Sequence, residues 1–536
     1  MPWNYGDILD AVSDAVNPET PAFVHGDKRI TWGEASKRMN NIARNLAARG
    51  AKPGDKVSFY LRNGTEYMEA VGASYLGRFV HVNVNYRYKP DEVRYILDNS
   101  DAVALIYSSE FRDTVAQIKD QLPQIKAFVE VGETTADFAE NYETLATEGD
   151  GSKLSGKRSP DDMLFIYTGG TTGMPKGVMW RHGDLCTLWH NRLERTIGVA
   201  PSSLEMFAMM VKAAPQPPVS LPACPMMHGT GFISASTAML SGGCIVTVDN
   251  RSLDPEAIWT AVEKNRVSSM AIVGDPFAKP LLQHLDENPG KYDLSSMLMM
   301  SSSGAMWSVE VKRGLLKHMP NLTITDSFAS TEAMGMGASI MTKDSEVQTA
   351  SFQLLENAIV IDENNEVIPP GTGQSGRVAL GGPLPMGYYK DPEKTARTFV
   401  TIGNVRYSIP GDHARVDENG AITLLGRGNN CINTAGEKVF PEEVEEALKT
   451  HPSIEDALVL GVPDDKWGQA ITGVVKLSNG SEFDEQSLRD HVRNVLAGYK
   501  TPKRILISEV NLRAPNGKAD YKSAKDFALS ALGIAS

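Results

Sequence analysis

A run of small and hydroxylated residues, Tyr167-Thr-Gly-Gly-Thr-Thr-Gly-Met-Pro-Lys-Gly-Val178, follows the apolar stretch Met163-Leu-Phe-Ile-Tyr167. Its four glycines let backbone N–H groups approach an anion closely, its three threonines add donors, and Lys176 adds a point charge. The donors of Thr168, Gly169, Gly170, Thr171, Thr172, Gly173 and Lys176 together suit a nucleotide polyphosphate. The ordinary P-loop needs Gly-Lys-Ser/Thr, whereas here Met174-Pro175 precede Lys176 and Gly177 follows it. P-loop GTPase or kinase chemistry is therefore not indicated.

Four later stretches also carry residue types with chemical potential. They are Pro222-Ala-Cys-Pro-Met-Met-His-Gly-Thr-Gly-Phe232, Asp326-Ser-Phe-Ala-Ser-Thr-Glu332, Tyr407-Ser-Ile-Pro-Gly-Asp412 with Gly426-Arg427, and Leu512-Arg-Ala-Pro-Asn-Gly-Lys-Ala-Asp-Tyr521. With the Gly/Thr run, and in this order, they resemble the motifs of the adenylate-forming superfamily, which includes acyl-CoA synthetases, aryl-CoA ligases, beetle luciferases and peptide-synthetase adenylation domains. The resemblance runs from about residue 20 to about residue 525 and is strongest to ligases of long-chain or steroid-derived acids.

The resemblance implies a role for each matching position. His228 falls at the gate of the acyl pocket, near the reacting carboxylate. Gly304 and Ala305, in Ser301-Ser-Ser-Gly-Ala-Met306, fall on a turn whose backbone faces adenine and the acyl group. Phe328 offers an aromatic face to adenine, Asp326 an acceptor for its amino group, Thr331 a hydroxyl for the α-phosphate, and Glu332 a hard oxygen for Mg²⁺. Asp412 matches the ribose clamp, with Arg427 beside it, and Lys518 matches a mobile catalytic lysine. Gly436, in Ala435-Gly-Glu-Lys438, matches the turn that lines the thioester-step tunnel.

Departures from the family pattern are Gly169 for Ser, Phe328 for Tyr, Ala329 for Gly, Ser303 and Met306 in the 301–306 turn, Asn429 for Asp or Lys, and Ala435 for Gly. The implied reaction has two halves. A carboxylate attacks the α-phosphorus of ATP to give acyl-AMP and pyrophosphate, and the coenzyme A thiol then displaces AMP. The expected cofactors are ATP, Mg²⁺ and coenzyme A as co-substrate, and the substrate is a small-molecule carboxylic acid. Alternatives are a stand-alone adenylation enzyme that loads a carrier protein, a luciferase-like oxygenase, and a non-catalytic adenylate-binding protein.

The elements that must position these residues alternate in type. Trp32, Ala35, Met39, Ile42, Ala43 and Leu46 recur at helical spacing up to Gly50. Lys56 to Leu61, Phe79 to Val82 and Ala102 to Tyr107 read as strands, and Thr65 to Leu76 and Asp91 to Leu97 as helices. That alternation predicts βαβ units on a mostly parallel sheet, an α/β fold. Residues 133–157 read as a surface connection, and Asp184 as the cap of a helix bearing Leu185, Leu188, Trp189 and Leu193. The Met- and Pro-rich segment 197–222 reads as a loop over a pocket, and Gly376 to Gly381, like Gly387-Tyr388, matches a turn of the family the chain resembles.

Pro441 to Lys449 and Glu485 to Leu496 read as helices, and Ala457 to Leu460, Ile471 to Val475 and Arg504 to Ile507 as strands. The expectation is a large multi-sheet domain, 1–427, followed by a small mobile α+β domain, 428–536, with a hinge near Asn429.

A chain of 536 residues exceeds the roughly 250–300 residues of a single core. Its 41% hydrophobic and 22% charged content is ordinary for a soluble globular protein. The net charge of −13 and the lack of a basic run argue against nucleic acid as the main partner. No stretch reads as a signal peptide or membrane span, and Cys186, Cys224, Cys244 and Cys431 lack metal-like spacing, so a reducing cytoplasm is expected. A homodimer is one option for assembly.

Overall fold

A computed structural model describes residues 3–168, 174–214, 216–249, 251–345, 349–427, 432–434, 437–464, 467–496, 498–508, 511–514 and 517–534. Backbone contacts divide the chain into two units. The first comprises Met1–Met334, Ile340–Val347 and Gly381–Ser408, and the second Gly335–Ser339, Gln348–Leu380 and Ile409–Ser536.

The first unit is built on two sheets. One has eight strands in the order Gly387–Tyr388, Lys176–Arg181, Met163–Thr168, Val80–Asn83, Lys56–Tyr60, Ala102–Ser108, Ala127–Val131 and Glu140–Asn141. The other runs Lys28–Thr31, Pro21–His25, Cys244–Thr247, Val219–Pro222, Ser269–Ile272, Met299–Ser303 and Thr323–Ser330.

Most strand pairs are parallel and buried on both faces, which accounts for their near-continuous apolar character. Alternation within one strand joins different layers. Val57 and Phe59 face a core shared with Phe23 and Ile245 of the other sheet and with the helices Tyr5–Ala15, Trp32–Ala48, Thr65–Gly77 and Gly229–Met239. Tyr60 and its neighbours Leu105 and Tyr107 face the opposite side, against the helices Pro90–Asn99 and Arg112–Ile118. A third core covers the far face of the second sheet under Pro255–Asn265, Asp275–Glu287 and Val309–His318.

Four local expectations are corrected. Residues 133–157 hold the strand Glu140–Asn141 and the helix Tyr142–Thr147, capped by the Asn141 side chain on Glu143 N–H. Buried polar contacts, which periodicity does not register, tie this helix down. Arg38 donates to Glu69 at 2.7 and 3.1 Å and to Glu143 at 2.8 and 2.9 Å, while Tyr142 Oη donates to Glu69 at 2.9 Å.

Asp184 does not cap its helix, which spans His182–Ile197. The first free N–H groups, of His182 and Gly183, donate to the carbonyls of Asp162 and Pro160, so a distant turn replaces a side-chain cap. Asp184 instead accepts from Arg181 at 2.8 Å.

Segment 197–222 contains the helix Leu204–Ala213, capped by Ser203, and the strand Val219–Pro222. Phe207 of that helix is buried edge-on against Trp189, with ring centroids 4.9 Å apart. The prolines that suggested a loop lie beyond the helix. Finally, Gly376 to Gly381 falls largely in the strand Ser375–Leu380 rather than a turn.

The second unit has an antiparallel sheet in which Ser351–Leu354, Ala421–Arg427, Asp412–Val416, Ser375–Leu380 and Ala358–Ile361 pair in succession. It also has a five-stranded sheet of Glu437–Val439, Ile432–Thr434, Gly468–Leu477 and Ile454–Asp464, with Arg504–Ile507 parallel to Gly468–Leu477. The helices Pro441–Lys449 and Glu485–Val495 share a core with this sheet's Val459, Ile471 and Val475, while Tyr521–Ala531 packs on Leu458, Leu460 and Val474. These elements match the α+β reading of the sequence.

Candidate active site

The two ends of the Gly/Thr run are a strand pair. Met163–Thr168 and Lys176–Arg181 run antiparallel, with Thr168 directly opposite Lys176. Gly169, Gly170, Thr171, Thr172 and Gly173 lie outside the described residues. Lys176 Nζ stands 3.2 Å from Asp391, whose carboxylate also caps the helix Pro392–Thr398 by accepting from Lys394 N–H.

The exit strand of the run reaches the Thr331-Glu332 turn twice. Fully buried Trp180 donates its indole N–H to the Thr331 carbonyl at 2.9 Å. Gly387–Tyr388 pairs with Met179 and Val178 of the same strand, and Tyr388 Oη donates to Glu332 Oε1 at 2.8 Å. Neither tether is visible in the sequence, since Trp180 sits in an ordinary alternating strand and Tyr388 in a turn of no evident chemistry.

The His228 turn belongs to the same neighbourhood. A side chain added at Gly229 would meet Thr331 Oγ1 at 4.0 Å, and Thr230 Oγ1 donates to the Ser303 carbonyl at 3.3 Å. Half-buried His228 opens the helix Gly229–Met239, its carbonyl accepting from Phe232 N–H.

Asn83 joins this turn to the Gly/Thr run. Its amide donates to the carbonyls of Tyr167 and Met227 at 3.1 and 2.7 Å, and its Oδ1 accepts from Tyr167 N–H at 2.7 Å. At 4% exposed, it ends a parallel strand, the position where open α/β sheets bind ligands, and that position is the one sequence signal that marks it.

Gly304 and Ala305 follow the strand Met299–Ser303. They lie against Gly274, whose φ of +57° puts its backbone so close that an added Cβ would meet the Met306 and Ala305 carbonyls at 2.3 and 2.8 Å. Gly274 N–H donates to Ser302 Oγ at 2.8 Å, which fixes the turn from the other side. On the next strand, Asp326 and Phe328 point to one face, two residues apart, with Asp326 opposite Ser302 in register.

Within the first unit, then, Thr168, Lys176, His228, Gly304, Ala305, Thr331 and Glu332 occupy strand ends and turns, and Asp326 and Phe328 lie within the strand Thr323–Ser330. Met226, Met227 and Met300 are buried nearby, whereas Met209 is 64% exposed.

In the second unit Asp412 pairs in register with Arg427 across the strands Asp412–Val416 and Ala421–Arg427. Asn429 and Gly436 lie outside the described residues. Lys518 is exposed on a turn in which its carbonyl accepts from Ala514 N–H at 2.8 Å. Two part-buried contacts bracket that turn. Arg513 is bidentate on Asp456, both distances 2.8 Å, and Tyr521 donates to Glu445 at 2.8 Å. Glu445 also accepts from Val459 N–H, and burial pushes its carboxyl up to about 7.

Residues 11–389 match the model of the AMP-binding enzyme family, and residues 443–518 that of the AMP-binding enzyme C-terminal domain. This chain belongs to the AMP-binding enzyme family. Among its relatives is a medium/long-chain-fatty-acid–CoA/3-oxocholest-4-en-26-oate–CoA ligase of Mycolicibacterium smegmatis, 38% identical over 98% of this chain and 96% of that protein. A 3-oxocholest-4-en-26-oate–CoA ligase of Rhodococcus rhodochrous is also 38% identical, with the same coverage of both chains. In fold, the family member resembles an anthranilate CoA ligase solved with anthranoyl-AMP, at TM-score 0.85 and 19% identity over 99% of this chain and 98% of that one. Among the described residues, no helix is long and apolar enough to cross a membrane.

Proposed function

We propose that this chain is an AMP-forming acyl-CoA synthetase. It activates a bulky apolar carboxylic acid, a medium- or long-chain fatty acid or a steroid side-chain acid, and passes the acyl group to coenzyme A. The observation that carries the reading is the 38% identity across 98% of the chain to ligases named for such acids.

The first half-reaction requires positioning and charge neutralisation more than an enzyme nucleophile. In this reading the Gly/Thr run, residues 168–176, holds the polyphosphate, Phe328 and Asp326 hold adenine, Asp412 with Arg427 holds ribose, and Thr331 reaches the α-phosphate. Gly304 and Ala305 form the wall between base and acyl group, and His228 stands at the acyl gate. Lys518 stabilises charge on the attacking carboxylate and the α-phosphate.

Glu332 fits Mg²⁺. Magnesium bound with nucleotides usually takes one or two carboxylates plus phosphate oxygens and water. Glu332 is such a single carboxylate, its Oε1 accepting from Tyr388 Oη at 2.8 Å. When bound, the ion would neutralise the leaving pyrophosphate. A boundary near Asn429, between 1–427 and 428–536, would let the tail domain withdraw Lys518 and bring Gly436 to the thiol for the second half-reaction.

The test is release of AMP and pyrophosphate from ATP with a panel of carboxylic acids, using coenzyme A or a carrier protein as acceptor. Acyl-CoA from long-chain or steroid acids is the expected product. Preference for acetate, or turnover only with a carrier protein, would overturn the reading.

A further inference from the structure

A charged pair is buried behind the strand that carries Asp326 and Phe328. Lys312, on the helix Val309–His318, is 2% exposed, and its Nζ donates to Asp326 Oδ2 at 2.9 Å. The ammonium also lies 5.4 Å from the ring centroid of fully buried Trp307. Its helix neighbours Val311, Leu315 and Leu316 are apolar core, so a lysine here is costly unless the carboxylate is needed.

Burial raises the Asp326 carboxyl, the charge of Asp275 adds to the rise, and Lys312 opposes it. Asp275 is itself engaged, accepting from Ser308 N–H and Oγ at 2.9 and 3.1 Å and standing 3.5 Å from Lys279. Lys312 is therefore the cation that directly favours the ionised form of Asp326.

The form of Asp326 decides which base it can read. An ionised carboxylate only accepts hydrogen bonds, whereas a protonated one also donates. Lys312 takes Oδ2, so a base read by Asp326 would be met by Oδ1. An accepting Oδ1 suits the exocyclic amino group of adenine and repels the carbonyl of a 6-oxo purine. Sites built on one hydrogen bond can reject the mismatched analogue by large factors, since buried polar groups are left unpaired.

We propose that Lys312 is a positioning residue for nucleotide choice, holding Asp326 as an acceptor-only group so that the site selects a 6-amino over a 6-oxo purine triphosphate. The inference rests on the reading of Asp326 as the adenine contact. Neither Lys312 nor its helix touches the reacting atoms in that reading.

The test compares ATP with inosine triphosphate for the full-length wild type, Lys312→Met, Lys312→Arg and Asp326→Asn. Acid-dependent pyrophosphate release gives kcat and KM, and titration calorimetry gives binding without turnover. The wild type should prefer ATP by about 100-fold or more. Lys312→Met should bring that ratio below roughly 10-fold, mainly through KM, and Lys312→Arg should restore most of it.

If Lys312→Met is insoluble, Asp326→Asn decides the matter, because an amide both donates and accepts and should admit inosine triphosphate. An unchanged ratio in either variant, or equal losses for both nucleotides, overturns the proposal. A wild type that binds ATP selectively but releases no pyrophosphate would sink the ligase reading instead, while loss of binding selectivity in Lys312→Met would still support the role of Lys312.

Discussion

The first unit and the tail of the second hold their key side chains in opposite ways. Glu332, Thr331 and the ends of the Gly/Thr run are tethered from below by buried groups, namely Tyr388, Trp180 and Asn83, each standing on a strand of the eight-stranded sheet. Lys518 is exposed on a short turn, and the part-buried contacts beside it, Arg513 with Asp456 and Tyr521 with Glu445, fix the flanks of the turn rather than the lysine. In the proposed reading, the first arrangement would keep donors at fixed spacing for a nucleotide, and the second would carry Lys518 on a firm base.

The largest expected effect separates the two arrangements outright. Lys518→Ala should lower acyl-AMP formation by roughly 10²–10³-fold yet leave thioester formation from supplied acyl-AMP within a few-fold. Rapid-quench assays of each half-reaction read this directly, and an equal loss in both would erase the distinction.

Next comes Asn83→Ala, which strips partners from buried backbone groups of Tyr167 and Met227. A cost of roughly 2–4 kcal/mol, seen as a lower melting temperature together with a raised KM for ATP, is expected. A variant with normal stability and kinetics would show that the sheet does not need this tether.

A smaller effect should come from Tyr388→Phe, which removes one hydrogen bond from Glu332, worth about 1 kcal/mol. The magnesium concentration at half-maximal rate should rise several-fold with little change at saturation. An unaltered magnesium titration would remove Tyr388 from the site.

The smallest effect concerns the base of the lysine turn. The Glu445 carboxyl, pushed up to about 7 by burial, holds its proton more tightly in the folded state than in the unfolded chain. Its contribution therefore weakens as pH rises from the ordinary carboxylate range through about 7 and levels off above. Glu445→Gln should flatten the fall in melting temperature across that window while leaving adenylation rates near normal, as thermal melts at several pH values will tell. The opposite slope would refute the assignment.

Much of the fold was legible because it is written in apolar periodicity. The strand at Arg504 to Ile507 and the helix opening at Pro441 were read to the residue, and the alternation between Lys56 and Tyr107 gave the parallel sheet. The misreadings share a cause. The helix His182–Ile197 takes its cap from the Pro160 and Asp162 carbonyls, and Tyr142–Thr147 is anchored by Arg38 and Glu69, partners far away in sequence. The placement of the candidate residues divides in the same way. The motifs name the candidate groups, whereas Asn83, Trp180, Lys312 and Tyr388 contact residues of those motifs through distances that no local spacing encodes.

The two-residue strand Gly387–Tyr388 has another consequence. It forms the outer rim of the eight-stranded sheet, covering Val178 and Met179, and it is too short to template pairing by a second molecule. Any side chain at Gly387 would collide with Thr395 at 2.4 Å, so displacing this strand would leave Lys176–Arg181, with its buried Val178 and Trp180, as a longer and stickier border. Damage at this point should show itself as clumping of the protein during expression, together with loss of the Tyr388 hydrogen bond to Glu332.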